Sequence, residues 1–164
     1  MRSILSAVLL LALAAPAAAQ QVIFVVRHAE RADTSDGSAP MMATDPDLSP
    51  AGKARAESLA TMLKDARVAS IYTTQYKRTK QTAEPLAKAL GLTPVEVNSR
   101  EVAAVVEKLK AGENALIVGH SNSVGAIIKQ LGVTEPVTLS DDDYDNLFIV
   151  VRGEKPALVR LHFR

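Results

Sequence analysis

The sequence predicts an α/β fold, a three-layer α/β/α sandwich with a mainly parallel sheet. Three observations carry this reading. Short β-branched apolar runs, such as Val22-Ile23-Phe24-Val25-Val26 and Ala115-Leu116-Ile117-Val118, have the length and composition of strands buried on both faces. Amphipathic segments with helical spacing separate them. Serine, proline and glycine stand where such segments would begin and end. Alternating β and α elements of this kind build a sheet covered by helices on both faces.

In chain order, the first strand runs from Val22 to Val26 and ends abruptly in Arg27-His28-Ala29-Glu30. Residues 33–46 form a polar loop with Gly37, Pro40 and Pro46, long enough to suggest a functional loop or lid. Ser49-Pro50 opens a helix as N-cap and first turn, with Leu59, Met62, Leu63 and Ala66 on one face. A short strand follows from Val68 to Thr73, then a helix from Tyr76 to Leu90 that Gly91 stops. Pro94 to Val97 reads as a further strand and Glu101 to Lys110 as a third helix, with Val102, Val105, Val106 and Leu109 at helical spacing. The strand into His120 leads to a helix from Ser123 to Leu131, stopped by Gly132. Leu147 to Val151 and Ala157 to Phe163 close the chain as an antiparallel pair around Gly153.

Residues 1–19 read as a secretory signal peptide. Arg2 supplies a positive charge, Ile4 to Ala15 an apolar stretch, and Ala17-Ala18-Ala19 the small residues of a cleavage site. The stretch is too short for a spanning helix, which needs about 20 apolar residues. The expected mature chain, 20–164, suits one domain with one core and is exported, either periplasmic or secreted, with no membrane span after cleavage. Of 19 lysines and arginines the leader removes one, Arg2, and the mature domain balances 18 against 18 acidic residues. A neutral domain without a basic stripe does not suit nucleic acid as a partner. With no cysteine, disulfides, thiolate zinc sites and cysteine nucleophiles are excluded.

The chemistry gathers at strand ends. Arg27 and His28 follow the first strand, Arg78 lies just past another, and His120 ends the Ala115–Gly119 run. A parallel sheet brings such ends to one edge. Two guanidiniums and two imidazoles there make a pocket for an anion, since arginine forks match phosphate oxygens bidentately. The helix after Ser121 can aim backbone N–H groups at the same anion. One imidazole can attack phosphorus while the other donates hydrogen bonds as charge spreads over the equatorial oxygens.

The segments VVRHAER, LSPAGKARAESLA, IYTTQYKRTKQTAEPLAKALG and IVGHSNS together resemble the histidine phosphatase superfamily (branch 1), the phosphoglycerate-mutase-like clan, over nearly the whole mature domain. The resemblance implies a phosphoglycerate-mutase-like fold and a phosphohistidine intermediate, with no metal and no cofactor. By matching position it implies His28 as nucleophile and Arg27, Arg78 and His120 as the groups that bind and polarise the phosphoryl group. Its expected partner is a phosphorylated small molecule or an envelope phosphoester.

The chain also departs from the common family pattern. Ala29 replaces the glycine that usually follows the nucleophile, and Glu30-Arg31 replaces the more frequent acidic-Thr pair. Arg31 is a candidate third guanidinium at the rim, with Ser121 and Asn122 as further substrate-binding candidates. For the proton donor to the leaving group, Glu101 is a candidate by order along the chain, and Glu30 and Asp33 by closeness to His28. Without a positioned acid, good leaving groups are favoured, because general acid help is worth roughly 10²–10⁴-fold. A phosphatase is therefore favoured over a mutase. The alternatives are a protein phosphohistidine phosphatase and a non-catalytic module that binds phosphate ligands. The run from Asp141 to Asn146 lacks calcium-loop spacing and reads as a solvated loop whose Tyr144 or an aspartate borders the pocket. His162, alternating with Arg160 and Arg164 opposite Val159, Leu161 and Phe163, falls on a wet side away from the site.

Overall fold

The computed structural model of the protein describes residues 20–32 and 45–163; the expected leader, Asp33 and most of the 33–46 loop fall outside them. The described residues form a six-stranded sheet of order β3-β2-β4-β1-β5-β6. The strands are β1 (Val22–Arg27), β2 (Val68–Thr74), β3 (Val95–Val97), β4 (Asn114–Gly119), β5 (Asn146–Val151) and β6 (Ala157–His162). The first four are parallel, with β1 on β4 in the register Ile23 to Ala115 through Arg27 to Gly119. β5 runs antiparallel to β1, and β6 antiparallel to β5. This is the expected mainly parallel α/β sheet, with the antiparallel pair at its end.

Alternation along each central strand divides the core in two. Phe24 and Val26 of β1 face α1 (Pro50–Leu63) and α2 (Lys77–Leu90), meeting Leu59, Leu63, Ala83 and Leu86. Ile23 and Val25 face the opposite layer, where Val124, Ile127 and Ile128 of α3 (Ser121–Gln130) pack with Val102 and Val105. Both layers are buried, and near-continuous apolar strands are what a sheet covered on both faces requires.

Three details differ from the sequence expectation. The segment read as a third α-helix is a 3₁₀ helix, Val102–Lys108. In a 3₁₀ helix residues i and i+3 eclipse, so Val102 and Val105 both point into the core, and β-branched valines gain little from an α-turn there. Helix α3 starts at Ser121 rather than Ser123, which makes His120 its N-cap. The Ser123 hydroxyl accepts the His120 N–H at 2.9 Å, so that serine sits inside the helix as a capping partner. Finally, Val159 and Leu161 are exposed on β6, because β6 is an edge strand with little packed against it. Phe163, just beyond, is buried against the α1/α2 layer, and His162 is exposed and bonded to Asp145 at 3.1 Å.

The fold locates a crevice. From β1 the chain passes to α1 on one face, and from β4 to α3 on the other. Neighbouring parallel strands whose connections leave in opposite directions open a gap at their carboxyl ends. The His28 N–H, bonded to the Gly119 carbonyl at 3.0 Å, lies at that point.

Candidate functional site

Backbone contacts hold the residues after β1 with little freedom. The Ala29 N–H donates to Thr82 Oγ1 at 2.9 Å, and that hydroxyl donates to the Arg78 carbonyl at 2.7 Å. One threonine of α2 thus ties the loop bearing His28 to the turn bearing Arg78. The Ala29 side chain is buried with Leu48 and Ala56, so the methyl group that replaces the usual glycine hydrogen fills space.

Gly52, in the first turn of α1, lies against the same loop. A Cβ there would come within 2.1 Å of the Glu30 carbonyl oxygen. Gly52→Ala is therefore expected to destabilise the protein by about 2 kcal/mol or more, as overpacking against backbone does. Urea unfolding checks this, and an unchanged midpoint would contradict the close approach.

The structure brings together Arg27, His28, Arg78 and His120, all buried. The His28 and His120 rings meet edge to face with centroids 5.3 Å apart. His28 Nδ1 lies 2.8 Å from the Ala29 carbonyl oxygen. A carbonyl only accepts, so Nδ1 carries the proton and Nε2 keeps its lone pair. Burial lowers the His28 pKa to about 3, helped by the charges of His120, Arg78 and Arg27 and opposed by the Ala29 bond. Burial, with Arg78 and Arg27, lowers that of His120 to about 4. Both rings are neutral at physiological pH. The arginines do contribute, as their placement beside His28 suggests, but desolvation is the larger cause.

Each arginine has a matching set of neighbours. Arg27 lies 4.1 Å from the centroid of the Tyr144 ring, donates to the Ser140 carbonyl at 2.8 Å and has Asp141 at 3.8 Å. Arg78 lies 4.2 Å from the Tyr76 ring centroid and has Asp45 at 3.6 Å. In both, the buried Nε–H has no partner. Sequence reasoning put Tyr144 or an aspartate of the 141–146 run at the border but missed Tyr76 and Asp45. The spacing Tyr76-x-Arg78 was the available signal for Tyr76. Asp45 carried none, since it accepts the Lys77 N–H and reaches Arg78 only once the chain has folded.

The remaining candidates are dispersed. Arg31 is half-buried in a bridge with Leu48, and its charge reaches Arg78. Ser121, half-buried, donates to Asp141 at 3.4 Å. Asn122 is exposed and lines, with Ser121, a cleft of about 450 Å³ between α3 and residues 133–139. Glu30 is gripped by Arg55, whose Nη2 lies 2.6 Å from its carboxylate. Burial is the largest single influence and would raise the Glu30 pKa, but the Arg55 hydrogen bonds, a backbone hydrogen bond and the charges of Arg55 and Arg27 together hold the carboxyl below its usual range. That arrangement stabilises the charged form, which a proton donor must not be. Glu101 is exposed and hydrogen-bonds through its backbone, to Asn98 and Ala104. The structure does not bring it to the four buried residues. Asp33 lies outside the described residues. Among the described residues no group of three or more His, Asp or Glu side chains is arranged to hold a metal, and no helix is long and apolar enough to cross a membrane.

Residues 23–101 match the histidine phosphatase superfamily (branch 1). No curated protein sequence matches the chain. Among solved structures, the protein histidine phosphatase SixA complexed with tungstate is similar at 17% identity and a TM-score of 0.58, covering 86% of this chain and 96% of that one. A variant of phosphoserine phosphatase from Entamoeba histolytica, in complex with phosphoserine, is similar at 15% identity and a TM-score of 0.64, covering 87% and 96%. Mycobacterial glucosyl-3-phosphoglycerate phosphatase is similar at 14% identity and a TM-score of 0.62, covering 86% and 97%. At these identities the likeness is one of fold.

Proposed function

We propose that this chain, which belongs over residues 23–101 to the histidine phosphatase superfamily (branch 1), hydrolyses phosphomonoesters or related phosphoryl compounds through a phosphohistidine on His28. One observation carries the reading: a neutral imidazole with a bare Nε2 stands among two buried guanidiniums, each with an unpartnered Nε–H. Buried donors without partners are costly, and a tetrahedral dianion supplies what they lack.

In the first step the His28 Nε2 lone pair forms the N–P bond while the bond from phosphorus to the leaving group breaks, its electron pair going to the leaving atom. The ring becomes a phosphorylated imidazolium. Its Nδ1–H still donates to the Ala29 carbonyl, a bond that strengthens as charge develops. Arg27, Arg78 and His120 hold the equatorial oxygens. Water then attacks phosphorus, the N–P bond breaks back to Nε2, and inorganic phosphate leaves.

Asp45, Asp141 and Glu30 each lie against an arginine. Carboxylates so paired favour substrates whose leaving group departs without a carboxylic acid, such as aryl phosphates or phosphoramidates like phosphohistidine. We place the enzyme outside the cytoplasm, after cleavage at Ala19, acting on a soluble phosphoester or an envelope phosphoester.

The test is hydrolysis of p-nitrophenyl phosphate by the purified protein in excess EDTA, with the pH profile of kcat/KM. Turnover is expected, together with an acid-labile phosphoenzyme on rapid quench. Protonation of His28 removes the attacking lone pair, so activity, corrected for the fraction of substrate dianion, should persist below pH 6.5. It should fall only as pH approaches the value of about 3 that His28 has in the free protein. Tight phosphate binding without hydrolysis would identify a binding module instead.

A further inference from the structure

Behind His120 lies a pair of threonines with no part in the pocket itself. Thr74 ends β2 and Thr79 sits in the first turn of α2, and both are buried. His120 Nε2 is 3.0 Å from Thr74 Oγ1, which is 2.9 Å from Thr79 Oγ1. Thr79 Oγ1 also lies 2.8 Å from the Tyr76 carbonyl, 3.1 Å from the Thr74 carbonyl and 3.1 Å from the Thr74 N–H.

Counting protons decides the direction of this chain. A hydroxyl has one hydrogen to donate and two lone pairs to accept with. Two carbonyl oxygens face Thr79 Oγ1, and neither can donate, so its hydrogen goes toward them. If it went to Thr74 instead, two carbonyls at 2.8 and 3.1 Å would face bare oxygen. With its hydrogen so placed, Thr79 Oγ1 accepts both the N–H and the hydroxyl of Thr74. The Thr74 oxygen is then left to accept, and among the described residues the only donor that meets it is His120 Nε2–H.

We propose that Thr74 and Thr79 are positioning residues whose hydroxyl chain holds His120 with its proton on Nε2, leaving Nδ1 as the nitrogen that gains or loses a proton during phosphoryl transfer. The tautomer follows from the hydrogen-bond geometry alone; its consequence for turnover rests on the phosphatase reading. In the neutral ring Nδ1 is an acceptor, so it becomes a donor to phosphoryl oxygen only by taking up a proton when the anion arrives.

The experiment is a two-bond ¹H–¹⁵N correlation spectrum of the ¹⁵N-labelled protein near neutral pH, with His120 assigned by comparison with His28→Ala and His162→Ala. The parent protein is expected to show His120 with a protonated Nε2 and a bare Nδ1. In Thr74→Val the opposite tautomer should become populated, and Thr74→Ser should restore the parent pattern. In parallel, Thr74→Val should lower kcat by about tenfold, the value of one hydrogen bond near its upper range, with a smaller change in KM, and Thr74→Ser should stay within about twofold of the parent. A parent spectrum with the proton on Nδ1 overturns the proposal without any variant. So does a Thr74→Val protein whose tautomer or turnover matches the parent. A protein that shows the expected tautomer and hydrolyses nothing refutes the phosphatase reading instead, and with it the role in turnover.

Discussion

His28→Ala is expected to lose turnover on the order of 10⁴-fold or more, as removal of an attacking group does when nothing replaces it. The same protein should bind phosphate or tungstate at least as tightly as its parent. The anion meets Arg27 and Arg78, whose unpartnered Nε–H groups the substitution leaves in place. Loss of the imidazole also gives the bound oxygens more room, since the two histidine rings are only 5.3 Å apart. Steady-state hydrolysis and calorimetric titration with tungstate separate the two effects. Among the described residues the His28 side chain makes one hydrogen bond, to its neighbour's carbonyl, so the fold should survive and circular dichroism should be unchanged. Loss of activity smaller than tenfold would remove His28 from the nucleophile's role.

Arg78→Ala is the second large effect. It should weaken phosphate binding by about a hundredfold, within the 2–5 kcal/mol that losing one partner of a buried charged hydrogen-bond pair costs. The fall in kcat/KM should be larger, because charge on the equatorial oxygens grows toward the transition state. Arg78 is a cleaner choice than Arg27. Asp45 still accepts the Lys77 N–H after the substitution, whereas Arg27 also pins the loop bearing Tyr144 through the Ser140 carbonyl. Arg78→Lys should recover only a small part of the loss, as an ammonium offers neither the planar fork nor the Nε–H. Binding of phosphate with parental affinity in Arg78→Ala would place the anion elsewhere.

Much of this site is legible in the sequence because its chemistry stands directly at strand ends. Arg27-His28 and Gly119-His120 follow apolar runs without a spacer, and parallel pairing of those runs brings the two histidines into contact. Arg78 was legible from its place just past β2, in the first turn of the helix that follows. Glu30 misled because nearness in sequence to His28 says nothing about direction: its carboxylate turns away to Arg55, 25 positions along. Tyr76 was harder still, since an aromatic ring becomes a cover for a guanidinium only once the turn that carries it folds against the site. The 3₁₀ helix escaped because valines at i and i+3 share a face in either helix type, and Val102 and Val105 both pack in the core with α3.

By itself, then, the sequence determined the alternation of strands and helices, the mainly parallel sheet, and the identity of the four groups that meet at its edge. These depend on local pattern: apolar runs, caps and the residues that end them. Only the tertiary structure decided which histidine nitrogen is bare, how far burial depresses both rings, and which carboxylates are already taken by arginines. Those properties depend on solvent exclusion and on partners distant in sequence, as when Thr74, Thr79 and His120, up to 46 positions apart, share one chain of hydrogen bonds.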